Sequence, residues 1–332
     1  MFTVQTVKAQ NPVTTLEHNG TTTVYYGQNS LVDAYNASVN GDYLYLSTGY
    51  FTAPASIAKG IKIIGAGHFP DSANVVKRTT IMSGLNINAG ADSLRMEGLF
   101  IDGSILYQSN ASINHVKIFR CRALNVNFRS TSQEFSKNNC SVIETVILSD
   151  INFSNFGTNF SVIHCFVSTY GINNILGGAV IDGNIFLGNY SGYSFALSNI
   201  QSSLIKNNIF VSSNNIFDGQ TKGNYFYNNI FTSNISSFGT NSISSNYINI
   251  SRTDIFTTLV SDSFDYTIDY RLKSPTTYLG TDGTQVGIYG GATPFKEKGL
   301  PSNPQILTKT VGSQTDANGN LQINFKVKAQ DN

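Results

Sequence analysis

Residues 203–213 read SLIKNNIFVSS, and a near copy, NYFYNNIFTSN, occupies residues 224–234. An earlier relative, AVIDGNIFLGN, occupies residues 179–189. In each, an Asn is followed by Ile and Phe, with an apolar residue three places ahead of it. The shared frame is apolar, two variable residues, key residue, one variable residue, apolar. It fits Ile181, Asn184 and Phe186; Ile205, Asn208 and Phe210; Phe226, Asn229 and Phe231; and Ile243, Asn246 and Ile248. Towards the N-terminus it fits Val162, Cys165 and Val167; Ile143, Val146 and Leu148; Ile118, Cys121 and Ala123; and Met96, Leu99 and Ile101. The key positions lie 17 to 25 residues apart.

That interval matches one coil of a parallel β-solenoid, in which no coil buries its own apolar face but a stack buries a continuous core. Each interval holds three short strand candidates. One coil reads NNIL (173–176), then AVID (179–182), then IFLG (185–188), with Gly or Asn at the bends. Three strands per coil predict an all-β, single-stranded right-handed parallel β-helix. The bend between the second and third strands is so tight that one residue needs the left-handed conformation, which Asn tolerates. Stacked at ~4.8 Å, Asn184, Asn208, Asn229 and Asn246 would form an amide ladder. Phe186, Phe210 and Phe231 would stack inside. Cys121 and Cys165 share the ladder position. They lie two coils apart, about 9–10 Å at the strand spacing, beyond disulfide reach, and read as small buried fillers. Arg120 and His164 each precede a ladder residue and fall on the outside of the bend.

The composition suits this reading. Of 332 residues only 12% are charged, the formal net charge is +1, and 17 Tyr and 22 Phe accompany no Trp. Few charges and many Asn, Ser, Thr and Gly favour strands and turns over surface helices. The balance leaves no electrostatic footprint for nucleic acid, and no run reaches the length of a membrane span. The start, MFTVQTVKAQNPVTT, carries VKA before Gln10, which resembles the end of a secretory signal. Residues 1–21 are therefore set aside as a signal remnant or unstructured leader. The expected location is secreted or cell-surface, in the periplasm or outside the cell.

One helix is expected, at about 31–39, within NSLVDAYNASVNGD (29–42). Ser30 can cap it, with Asp33 completing an approximate capping box. Leu31, Val32, Tyr35 and Val39 form its apolar stripe, and its role is a lid over the first coil. The β-helix with this cap spans 22–295. In the tail, 296–332, LQINFKVKAQ alternates as a strand that pairs along the body or begins a small β appendage.

The capping helix SLVDAYNAS, the stretches GDYLYLSTGYF and IKIIGAGHFPD, the NNIF coils and the ending DYRLKSP…GTDGTQVGIYGG together resemble the pectate-lyase-like superfamily of secreted bacterial right-handed β-helices. The resemblance covers roughly residues 22–295. It implies a scaffold shared by lyases, glycoside hydrolases, esterases and non-catalytic binding or adhesion proteins. It also implies a substrate lying along the outer face of the first-strand sheet, walled by loops that follow the third strand. On those loops Tyr107, Arg129, Tyr170, Tyr190 and Tyr193 are the expected sugar-binding residues, since Tyr faces stack on sugar rings and Arg pairs with uronate or sulfate. Arg129 belongs to the long interval NFRSTSQEFSKNNCS (127–141), with Glu134 and Lys137.

A lyase would need a base and a neutralised carboxylate, often through calcium held by acidic side chains. A hydrolase would need two carboxylates. In the column two places before the ladder, Glu97 and Glu144 stand two coils apart, with Lys117, Arg120 and Arg122 nearby. Asp182 and Lys206 are coil neighbours and read as a surface ion pair. Hydrolase motifs such as NTD and RIK, the lyase RxPxxR signature, HEXXH and a phosphate-binding loop are absent. No catalytic residue, metal site or cofactor is assigned, calcium entering only in the lyase case. The expected function is polysaccharide or glycan binding or processing by a monomer, as a polysaccharide lyase or glycoside hydrolase if enzymatic. The alternative is a non-catalytic structural or adhesive surface protein whose solenoid is a rigid rod.

Overall fold

The computed structural model describes residues 11–69, 78–153, 155–188, 194–212, 214–302 and 305–328. The chain is a parallel β-helix built from three sheets. The second strand of each coil joins a twelve-stranded sheet, the third strand a nine-stranded sheet, and the first strand a six-stranded sheet. In the twelve-stranded sheet Met96, Ile118, Val142, Val162, Ile181, Ile205, Phe226 and Ile243 stand in register, all but the last fully buried.

The Asn repeat is a hydrogen-bonded ladder. Asn208 Oδ1 accepts from the backbone N–H and the side-chain amide of Asn184, both at 2.9 Å. Asn229 does the same for Asn208, and Asn246 for Asn229. Each side-chain amide of Asn184, Asn208, Asn229 and Asn246 also donates to a carbonyl of the preceding coil, from Val162 to Phe226. Inside, Phe186, Phe210 and Phe231 stack with centroids 4.5 and 4.8 Å apart. Cys121, Cys140 and Cys165 are free and buried.

Two details differ from the sequence reading. The frame around residue 143 is displaced by one. Val142, not Ile143, aligns with Ile118, so the ladder position is Thr145 rather than Val146. The segment SVIETVIL offers apolar residues in both registers, and hydrogen bonding selects the one that turns a polar side chain inward. Thr145 Oγ1 accepts from the backbone N–H of Cys121 at 3.3 Å. The left-handed residue is also not the ladder Asn but the one before it. Gly98, Arg120, Glu144, His164, Gly183, Asn207, Asn228 and Ser245 all have φ between 47° and 66°. A second amide ladder, unanticipated, joins Ser203, Asn224 and Asn241 at the bend that enters the twelve-stranded sheet.

The lid helix α1 spans Ser30–Ala37. Leu31, Ala34 and Tyr35 are buried, whereas Val39 lies beyond its end and is exposed. No side chain caps it. Ser30 is its first residue, and its hydroxyl instead meets Thr14 Oγ1 at 3.0 Å. Thr14 belongs to the strand Val13–His18, which pairs antiparallel with both Thr21–Tyr26 and Tyr43–Leu46. Residues set aside as leader thus include a strand of the body.

After the last coil the chain returns along the outside of the helix. Val146, Phe166, Ile185, Ile209 and Ile230 face outward from the nine-stranded sheet. They form a second core with Ile255, Phe256, Tyr270, Leu272, Val286, Ile288 and Phe295 of the returning strap. The strap then descends the tight bend coil by coil. Leu279 O accepts from Asn228, Thr281 N–H donates to Asn207, Lys296 N–H donates to Glu144, and Ser302 meets Glu97. Finally Gln305–Thr315 and Leu321–Lys328 form an antiparallel hairpin, which settles the tail as an appendage.

Candidate ligand cleft

Where the strap crosses the nine-stranded sheet, an aromatic cleft of about 250 Å³ remains open. Its wall is built from two distant segments. The loop after strand Lys62–Ile64 contributes His68 and Phe69, and the strap contributes Phe264, Tyr266, Tyr270 and Tyr289. Tyr266 ties the two together. Its ring packs edge-on against Phe69 at 4.7 Å, and its hydroxyl lies 2.9 Å from His68 Nδ1. His68 is buried against Gly299, where a Cβ would stand 2.3 Å from Nε2; the φ of +57° there favours glycine. Nε2 has no hydrogen-bond partner among the described residues. Burial, helped by the charges of Arg122 and Arg78, lowers the His68 pKa to about 3, so the ring is neutral. Burial likewise pushes the Tyr266 and Tyr289 phenols up and Tyr270 to about 12.

The rim is charged. Arg271 bridges two carboxylates, with Nη2 2.7 Å from Glu297 Oε1 and Nη1 3.6 Å from Asp269 Oδ1. Its guanidinium also lies over the Tyr289 ring at 5.7 Å. Exposed charge pairs of this kind add little stability. Aromatic walls with a few polar groups at the mouth are the composition of a small-ligand pocket, and here of a size for about one sugar ring.

Of the residues expected to bind sugar, the three that are described, Tyr107, Arg129 and Tyr170, do not come together. In strand Ile105–Tyr107, alternation turns Ile105 and Tyr107 inward and Leu106 outward. Tyr107 is only 3% exposed and packs against Phe128 with ring centroids 4.5 Å apart, so it is a core residue. Arg129 and Tyr170 are exposed but at opposite ends of the six-stranded sheet, Arg129 just after Val126–Phe128 and Tyr170 just before Gly171–Ile175. The register of Val126, Ile151 and Ile172 separates them by five residues, roughly 16 Å along the strand direction. Tyr190 and Tyr193 lie outside the described residues. Lys137 of the long loop is buried. Its ammonium donates to the carbonyls of Ala111 and Phe135, and burial lowers its pKa to about 8. Glu134 remains exposed.

The carboxylates considered for hydrolysis are anchors. Glu97 and Glu144 are 1% and 2% exposed. Glu97 holds Arg95 and the backbone and hydroxyl of Ser302. Glu144 holds Arg120 at 2.8 Å and the N–H of Lys296, while Arg120 reaches Leu300 O and Ser302. Arg120 and His164 are on the outside of the bend as expected, but the strap buries both. Asp182 and Lys206 pair at 3.1 Å. Among the described residues no group of three or more His, Cys, Asp or Glu converges.

No family model matches this chain, and no curated protein matches it. The cleft was not legible in the sequence. IKIIGAGHFPD carries His68 and Phe69, but its partners arrive 198 residues later and share no repeat with it.

Proposed function

We propose that the protein is a secreted or cell-surface β-helix of the pectate-lyase-like kind that binds a polysaccharide, with the strap cleft as its contact. The observation that supports this reading is the cleft itself, with aromatic side walls and the Arg271, Asp269 and Glu297 cluster at its mouth. Such walls stack on the apolar faces of sugar rings, and such a rim hydrogen-bonds hydroxyls. No residue is proposed as a catalytic acid, base or nucleophile, because the buried carboxylates are committed to the strap.

A glycan array followed by calorimetry on the strongest ligand tests the reading. Tyr289→Ala should weaken binding by about 3- to 10-fold, the worth of one stacked ring, measured at a temperature where the variant is fully folded. Binding that survives unchanged in Tyr289→Ala, or no binding to any glycan, would overturn it. The second reading, an adhesive or structural surface protein, draws on the hairpin, where Leu321, Ile323, Phe325 and Val327 all expose their side chains. Glycan-independent self-association, lost when Phe325 is changed to Ser, would favour it.

A further inference from the structure

The outward column of the nine-stranded sheet runs in register through Thr80, Phe100, Arg122, Val146, Phe166, Ile185, Ile209 and Ile230. From Val146 onward it is apolar and lies under the strap. Its first three members stand outside that second core and change character. Phe100 carries two guanidinium groups, Arg78 centred 3.6 Å and Arg122 centred 4.0 Å from the ring centroid. Two guanidiniums that close cannot share one face without colliding, so they sandwich the ring. Neither makes an ion pair among the described residues. Asp102 acts on Arg122 only at longer range. Beside Phe100, Thr80 is 3% exposed, and its hydroxyl has no hydrogen-bond partner among the described residues. The site adjoins the cleft, since both arginines act electrostatically on His68 and Tyr266.

We propose that Arg78, Arg122 and Thr80 form a binding site for a tetrahedral oxyanion, the sulfate or phosphate group of an ester. Two cations held on either side of one ring repel each other, and among the described residues no carboxylate forms an ion pair with either; an anion relieves that repulsion. The donors are two guanidinium forks, one on each face of the ring, and one hydroxyl beside it. A carboxylate has two coplanar oxygens and satisfies one fork. A tetrahedral group offers three oxygens in three directions. The edge of an aromatic ring carries partial positive charge, so Phe100 also favours an anion lying at its edge between the forks. Combined with the polysaccharide reading, on which the identity of the carrier rests, the ligand is a sulfated polysaccharide.

The test is calorimetric titration with dextran sulfate, dextran, polygalacturonate, inorganic sulfate and inorganic phosphate, at one fixed chloride concentration. Dextran sulfate should bind at least 10-fold tighter than polygalacturonate, and inorganic sulfate should compete with it. Arg122→Gln and Arg78→Gln should each weaken that binding about 10-fold or more, while Tyr289→Ala leaves inorganic sulfate binding unchanged. Phosphate outcompeting sulfate would move the carrier to a phosphate ester and keep the site. Equal affinity for polygalacturonate and dextran sulfate, or either glutamine variant binding like wild type, would overturn the site. If Arg122→Gln fails to fold, Arg78→Gln and the competition on the native protein still decide. Neutral-glycan binding lost in Tyr289→Ala without any sulfate preference would sink the oxyanion site alone. Inorganic sulfate binding through the arginines with no glycan binding would sink the polysaccharide reading alone.

Discussion

The two faces of the nine-stranded sheet are packed by different kinds of neighbour. On the inner face Phe186, Phe210 and Phe231 each meet the equivalent residue of the next coil, one repeat away in sequence. On the outer face Phe166 meets Phe264, Tyr270 and Phe295, which come from the returning strap. The inner contact is made by repetition, so each coil supports its neighbours. The outer contact is made by one non-repeating segment that must find the whole face at once. A solenoid whose coils stack without help therefore carries a cover that can loosen while the stack survives.

The largest expected effects test this contrast directly. Phe210→Ala removes the middle ring of the inner stack and should cost about 3–5 kcal/mol in global unfolding. Phe166→Ala deletes a ring just as buried, but its loss should appear first as local opening. Hydrogen exchange and protease cleavage should rise in residues 256–300 before the coils respond. If both variants lower the global transition equally, with no protection lost selectively in the strap, the strap and coils are one cooperative unit and the contrast fails.

The same division explains what the sequence disclosed. The NNIF frame carried the coil spacing, the ladder and the Phe stack, because each was written several times. It slipped only at SVIETVIL, where adjacent apolar residues permit two registers and the choice rests on one hydroxyl, that of Thr145. The strap was written once. GTDGTQVGIYGG reads as loss of the ladder, and nothing in it names Asn207 or His164 as partners. The cleft shares that fate, being made by the strap against a loop from the first coils. Tyr107 was misplaced for a simpler reason. Its strand is three residues long, too short for alternation to declare which face is inward.

A middle-sized effect probes where strap and loop meet. The His68 pKa is about 3 in the folded chain against an ordinary value near 6.5. The unfolded chain therefore binds a proton that the folded one refuses as pH falls between those values. The stability tied to neutral His68 is fully present above pH 6.5 and is lost progressively from there towards pH 3. At pH 4.5 the loss should be roughly 2–3 kcal/mol. His164 shifts in the same direction and adds to the slope. Urea unfolding of wild type and His68→Asn at pH 7 and pH 4.5 isolates the contribution of His68, since carboxylates titrate alike in both. Parallel loss of stability in the two proteins would place His68 outside the strap's pH sensitivity.

The smallest effect separates the two asparagines of a single NNIF. Asn208 points inward and is fully buried. It accepts from the Asn184 amides and donates to Ile181 O and Asn229 Oδ1. Asn208→Leu removes the acceptor of the Asn184 backbone N–H and the side-chain donor to Ile181 O, and should cost on the order of 1–3 kcal/mol. Asn207 sits one residue earlier, at φ 56°, on the outside of the bend. Its amide donates to Asp182 and its carbonyl accepts from Thr281 N–H. Asn207→Gly removes those bonds, but glycine takes the left-handed conformation without the Cβ penalty, which offsets part of the loss. Its net cost should be on the order of 1 kcal/mol, less than that of Asn208→Leu, and fall on the strap rather than the stack. Paired melting curves read the asymmetry, and equal destabilisation would mean that the doubled Asn is one structural device rather than two. The first Asn turns the chain and receives the cover; the second holds the coils together.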